Sequence, residues 1–151
     1  GGLRCADIMS RELKTAEFGT PLREAWALLR RHRIKALPVV DRARRVIGIV
    51  TLIDFIKQAR LDPRDPRSFG ERVRRLLNAT PGPSSDKPEV VGQIMAHPVH
   101  TVASDAVVVE LVPRLSDLGL HHVPVVDAER RLVGMVTQSD LVAALYRAQA
   151  G

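Results

Sequence analysis

Aromatic residues are nearly absent from this chain: one Trp, one Tyr and three Phe make up 3% of 151 residues. Its core must therefore be built from Val, Leu, Ile and Ala, and its basic residues have no aromatic platform on which to stack bases. Cysteine is scarcer still. Cys5 stands alone, which excludes an intrachain disulfide and points to a reducing, cytoplasmic setting. Lysine is also sparse, with only Lys14, Lys35, Lys57 and Lys87 among 23 basic residues, so the net charge of +6 is carried by arginine. Such a balance suits phosphates, nucleic acid or an acidic protein face, and equally an ordinary solvated surface. No uninterrupted apolar run reaches the length of a membrane span, and no signal-peptide pattern opens the chain. The chain begins Gly1-Gly2, and a strand pattern follows almost at once. A further segment is therefore expected upstream of residue 3.

What is present is a duplication. Pro38 recurs as Pro124, an offset of 86. The same offset carries Ile8-Met9 onto Ile94-Met95, Thr15 onto Thr101 and Glu24 onto Glu110. It also carries Pro38 to Asp41 onto Pro124 to Asp127, Gly48 onto Gly134, Val50-Thr51 onto Val136-Thr137 and Asp54 onto Asp140. No insertion is needed between residues 8 and 60, so the chain is two copies of one unit. The copies span residues 3–61 and 88–149. Residues 62–87 form a Pro-rich linker, with a short helix predicted where Ser68 and Glu71 have capping-box spacing ahead of Val73, Leu76 and Leu77.

Each copy reads β-α-β-β-α. A short extended piece opens it, Leu13 to Ala16 and Val99 to Val102. A helix follows on the stripe Leu22, Ala25, Trp26 and Leu29, matched by Val108, Leu111, Val112 and Leu115. Thr20-Pro21 has the chemistry of an N-cap and first helical residue. Two β-branched runs come next, Leu37 to Val40 and Val46 to Val50, around the turn Asp41 to Arg44. A second helix starts at Leu52 and runs to about Arg60. Pro113 lies inside the first helix of the second copy, where proline costs about 3 kcal/mol or forces a kink.

"GIVTLIDF" from Gly48 and "GMVTQSDL" from Gly134 each end a strand at threonine, with aspartate three residues later. Thr-x-x-Asp is a capping box in outline, though aspartate is shorter than the usual Glu or Gln. The same parts suit a nucleoside phosphate. Amides at a helix start and a threonine hydroxyl can meet a phosphate, and a carboxylate one turn in can accept both hydroxyls of a ribose. Nothing favours catalysis, because no Ser/His/Asp or Cys/His set stands in a suitable context. His97 and His100 have no third metal ligand nearby, and Met9, Met95 and Met135 read as gap-filling core.

Ile-Met near the start of each copy, "ALPVVD" and "HHVPVVD", and Arg-x-x-Gly-x-Val-Thr-x-x-Asp resemble the cystathionine β-synthase (CBS) domain in its tandem form, the Bateman module. The resemblance covers all but the linker and the tips. It implies an α+β fold of two β-α-β-β-α units related by a pseudo-two-fold axis, with sheets packed together. It implies clefts that take adenine nucleotides (AMP, ADP, ATP) or S-adenosylmethionine as regulatory ligands, with no further cofactor and no metal. Carried onto this sequence, the ribose-binding aspartate matches Asp54 and Asp140, and the phosphate-facing threonine matches Thr51 and Thr137. The adenine-facing backbone matches Thr15-Ala16 with Ala36-Leu37-Pro38, and Thr101-Val102 with His122-Val123-Pro124. Lys35, His121 and the cluster Arg30 to Arg33 add positive charge, and one of His121 and His122 is expected at the site. The resemblance further implies a homodimer, with Leu52, Phe55, Leu141 and Leu145 on the exposed apolar faces, and regulation of an attached transporter or enzyme domain. The opening segment resembles the pairs that follow the membrane-embedded region of HPP-family proteins. Two other readings compete: a ligand-free dimerisation module and, on the arginine content alone, a nucleic-acid-binding module.

Overall fold

The computed structural model describes residues 2–58 and 88–150, so the helix expected within the linker lies outside the described residues. The elements, in chain order, are α1 (Cys5–Ile8), α2 (Leu22–Arg31), β1 (Ala36–Val40), β2 (Val46–Thr51), α3 (Leu52–Gln58), a 3-10 turn (Val91–Gln93), β3 (Val102–Ala103), α4 (Val108–Leu118), β4 (His122–Val126), β5 (Leu132–Thr137) and α5 (Gln138–Ala150). They gather into two compact units. Among the described residues, one comprises 14–40, 47–58 and 88–98, the other 2–13, 41–46 and 99–150.

The units do not follow the order of the repeats. Residues 3–13 open the first repeat in sequence but pack with the second. Cys5 and Ile8 of α1 sit in one core with Val102, Val108, Leu111, Leu115, Val123, Val125, Val136, Leu141 and Ala144. Backbone bonds hold them there, from the Cys5 amide to the Ala106 carbonyl at 2.9 Å and from the Val108 amide to the Leu3 carbonyl at 2.8 Å. Val91 and Ile94, their counterparts at the offset of 86, pack in the other core with Ala16, Leu22, Ala25, Leu29, Leu37, Val39, Val50 and Phe55. Each opening segment thus completes the core that the other repeat begins. Each large apolar side chain sealed in this way contributes roughly 1.5–3 kcal/mol.

In the first unit β1 and β2 pair, and Ala16 adds a single parallel bridge to Val39. In the second unit β3 runs parallel to β4, with Val102 beside Val125, and β4 is antiparallel to β5. The opening extended pieces are therefore shorter than the sequence predicts. Every residue of β1 is buried, which is why "ALPVV" reads as a continuous apolar run rather than an alternating one.

The hairpin turns are built alike. Asp41 Oδ1 accepts the amides of Ala43 and Arg45, and Asp127 Oδ1 those of Glu129 and Arg131, all at 2.9 Å. At Asp127 the bond from the Arg131 amide, helped by the Arg131 side chain at 3.0 Å and the Glu129 amide, holds the carboxyl below its ordinary value. Arg44 and Arg130 take left-handed backbone, φ 68° and 65°.

One local expectation is corrected. Helix α2 begins at Leu22 with Pro21 at its N-cap, and Thr20 does not cap it. The Thr20 hydroxyl instead accepts the Glu17 amide at 2.8 Å, closing the turn before the helix. Pro113 lies inside α4, as the sequence predicts. The amide it lacks would have bonded the Val109 carbonyl, one turn back, where the chain is open to water (Val109 is 64% exposed).

Candidate functional site

Each repeat turns a corner from its last strand directly into its last helix, with threonine on the strand and the next residue on the helix. Strand pairing and the helix start fix the corner from two sides. His122 pairs with Thr137 across β4 and β5. The Gln138 amide bonds the His121 carbonyl at 3.1 Å, and the Leu52 amide bonds the Lys35 carbonyl at 3.2 Å. The first helical residue is thereby anchored to the residue that leads into the preceding strand.

The aspartates reach back. Asp54 Oδ2 accepts the Thr51 amide at 2.8 Å and the Thr51 hydroxyl at 3.3 Å. Asp140 Oδ2 accepts the Thr137 amide at 2.8 Å and its hydroxyl at 3.0 Å. The reciprocal bond of a full capping box, from the Asp140 amide to Thr137 Oγ1, is 3.3 Å long and is made only in the second repeat. The short aspartate side chain therefore does span the distance in both repeats. In each, one carboxylate oxygen, Oδ2, serves the corner. The other, Oδ1, has no hydrogen bond to a described residue, and all four side chains are half-buried. Because each threonine hydroxyl donates to the carboxylate, in this arrangement it orients the aspartate. Turning to a phosphate requires its rotation.

The other predicted residues lie on, beside or directly before the strands that pair with β2 and β5. Ala16, Ala36, Leu37 and Pro38 are buried and Thr15 half-buried, with the Ala16 amide on the Pro38 carbonyl at 3.0 Å. Val102, Val123 and Pro124 are buried, and Thr101 and His122 half-buried. His121 is exposed, with Nδ1 3.1 Å from Gln138 Oε1. Gln138 was missed from sequence. Its one signal is its place directly after Thr137. Among the described residues no three His, Cys, Asp or Glu side chains gather as a metal site. No described helix is long and apolar enough to cross a membrane.

The exposed apolar face is corrected. Phe55 is fully buried and Leu141 is 8% exposed, both in the cores, while Leu145 is exposed as expected. The outward face of α5 instead carries Val142, Leu145 and Tyr146. A groove of about 580 Å³ runs along it, lined by Gln138, Ser139, Val142, Ala143, Tyr146 and Arg147.

Residues 5–60 and 91–147 match the CBS domain. The chain belongs to the CBS-domain family, as a tandem pair. It is 31% identical over 140 residues to a CBS domain-containing protein of Dictyostelium discoideum, covering 93% of this chain and 89% of that protein. It is 28% identical over 135 residues to the L-aspartate semialdehyde sulfurtransferase of Methanocaldococcus jannaschii, covering 89% of this chain but 22% of the relative. For the choline transport ATP-binding protein OpuBA of Bacillus subtilis the shares are 95% and 31%, at 27% identity. The CBS pair thus spans a third or less of these two curated relatives. Among solved structures it resembles the CBS-pair protein CBSX2 from Arabidopsis thaliana, with a TM-score of 0.77 at 22% identity over 100% of this chain and 99% of that one. It also resembles the CBS domain pair of protein MJ0100 in complex with 5′-methylthioadenosine and S-adenosyl-L-methionine, with a TM-score of 0.70 at 26% identity over 99% of both chains. The cytosolic domain of the Mg2+ channel MgtE in complex with ATP gives 0.67 at 27% identity, over 93% of this chain and 48% of that one.

Proposed function

We propose that this CBS pair is a regulatory module that senses adenosine-containing ligands, and that Asp54 and Asp140 accept the ribose hydroxyls. The supporting observation is the state of the two carboxylates. Each is held by its threonine through Oδ2 and keeps Oδ1 without a described partner. A ribose offers two adjacent hydroxyl donors to that oxygen, and a charge-assisted bond of this kind is stronger than a neutral one. The edges Thr15 to Ala16 with Ala36 to Pro38, and Thr101 to Val102 with His122 to Pro124, supply apolar surface and backbone groups for the base. Two relatives of similar sequence, the MJ0100 pair and the MgtE cytosolic domain, hold adenosine compounds.

The module acts by differential binding. A ligand shifts a conformational equilibrium only by its unequal affinity for the two states. The regulated partner is an attached transport or enzyme domain, as suits a pair that forms a minor part of the sulfurtransferase and of the choline transport protein. The exposed apolar face of α5 supports assembly as a homodimer.

Calorimetric titration of the chain with AMP, ATP, S-adenosylmethionine and a short single-stranded DNA, at 50 and 300 mM salt, tests the reading. Saturable binding of an adenosine compound with weak salt dependence is expected. DNA binding alone, falling steeply with salt, would replace it with the nucleic-acid reading. No binding of any of the four would leave a dimerisation module.

A further inference from the structure

The two corners share a backbone plan but not a charge. In the first, the residue whose carbonyl receives the first helical amide is Lys35, exposed and with no ion pair or hydrogen bond from its ammonium group to any described residue. One turn beyond Asp54 on α3 stands a second exposed cation, Lys57, with no partner among the described residues, on the same side of the helix as the carboxylate. In the second corner the matching positions are His121 and Ala143. His121 Nδ1 already meets Gln138 Oε1 at 3.1 Å. The next cation along α5, Arg147, is seven residues and about 10 Å from Asp140. The first two helical residues differ as well, Leu52-Ile53 against Gln138-Ser139.

A 5′-phosphate brought near a ribose-binding carboxylate meets like charge, which must be offset. Two lysines outweigh the single carboxylate of Asp54, whereas neither matching position beside Asp140 carries a lysine or arginine. The amide of Gln138 and the hydroxyl of Ser139 give a neutral polar surface in place of ammonium donors. We propose that the two corners divide adenosine ligands by the charge of the 5′ substituent. The Thr51–Asp54 corner takes the phosphorylated nucleotide, with Lys35 and Lys57 as its specificity-determining residues. The Thr137–Asp140 corner takes the phosphate-free adenosine derivative. This rests on the ribose role of the aspartates argued above, and it adds that one chain reads two ligand classes at once.

The test uses AMP and 5′-methylthioadenosine, which differ in that charge, on single-corner proteins. Asp140→Ala keeps the first corner and Asp54→Ala the second. Calorimetry should show the Asp140→Ala protein binding AMP at least tenfold more tightly than methylthioadenosine, and the Asp54→Ala protein showing the opposite order. Adding Lys35→Gln and Lys57→Gln, both at exposed positions, to Asp140→Ala should weaken AMP about tenfold and leave methylthioadenosine within twofold. The same ratio of affinities at both corners, or lysine changes that weaken both compounds alike, would overturn the division while leaving the ribose assignment intact. Neither compound binding the unaltered chain would remove both.

Discussion

The side chain of Met9 lies directly on Gly134, with its Cβ 3.0 Å from where a Cβ on that glycine would stand. Met95 lies on Gly48 in the same way, with the Ala96 carbonyl 3.1 Å from the corresponding point. Each methionine opens one repeat and covers a strand of the other. Backbone bridges extend the contact, Ser10 to Met135 and Ile49 to Ala96. Both strands run straight on into a Thr-x-x-Asp corner, so the glycine of the motif is explained by close approach and the threonine and aspartate by the corner that follows.

Gly134→Ala should therefore destabilise the protein by roughly 1–3 kcal/mol, the usual cost of overpacking a core. Met9→Ala should recover part of that loss by making room for the new methyl, so the two changes couple by at least 0.5 kcal/mol in a double-mutant cycle read by urea melts. Strict additivity would show that the methionine does not set the space at Gly134.

Much of this was legible in the sequence, because the duplication supplies an internal control. The 86-residue offset marks both corners, both glycines and both hairpins. The exchange of opening segments was not legible, since α1 has only four residues and its counterpart only three. Pieces so short carry no period, and nothing local says which core they enter. The rotation of α3 was misread for a related reason. Leu52, Ile53, Phe55 and Ile56 are apolar nearly all round the helix, and with Asp54 bonded back to the Thr51 amide it is Phe55 that faces inward. Thr20 was misplaced because the Glu17 amide is a competing donor for its hydroxyl.

Cys5 is fully buried, and burial together with the Asp105 carboxylate pushes its thiol above the ordinary value of 9.0. Its stabilising effect is complete below that value and is lost as pH rises through the higher folded one. An aromatic disulfide reagent at pH 8 should label the native chain at least a hundredfold more slowly than the chain in 6 M guanidinium. Equal rates would place α1 outside the core.

Assembly should depend on the outward face of α5, where Val142 is 61% and Tyr146 75% exposed. Val142→Glu with Tyr146→Lys should leave the melting temperature within a few degrees and shift the sedimenting species from dimer to monomer. A dimer unaffected by both changes would place the interface elsewhere, and an unaltered chain that sediments as a monomer at 200 μM would rule the dimer out.

The ribose role of the aspartates is tested most directly by titrating AMP, ATP and S-adenosylmethionine into the unaltered chain and into the Asp54→Ala, Asp140→Ala double variant, with thermal melts alongside. As capping residues alone the aspartates are worth about 1 kcal/mol each. As ribose acceptors they leave hydroxyl donors unpaired when removed, a further loss of roughly 1–3 kcal/mol of binding at each corner. Whichever compound binds the unaltered chain should bind the folded double variant at least tenfold more weakly. A folded double variant that binds it as tightly as the unaltered chain would show that the aspartates cap helices and nothing more.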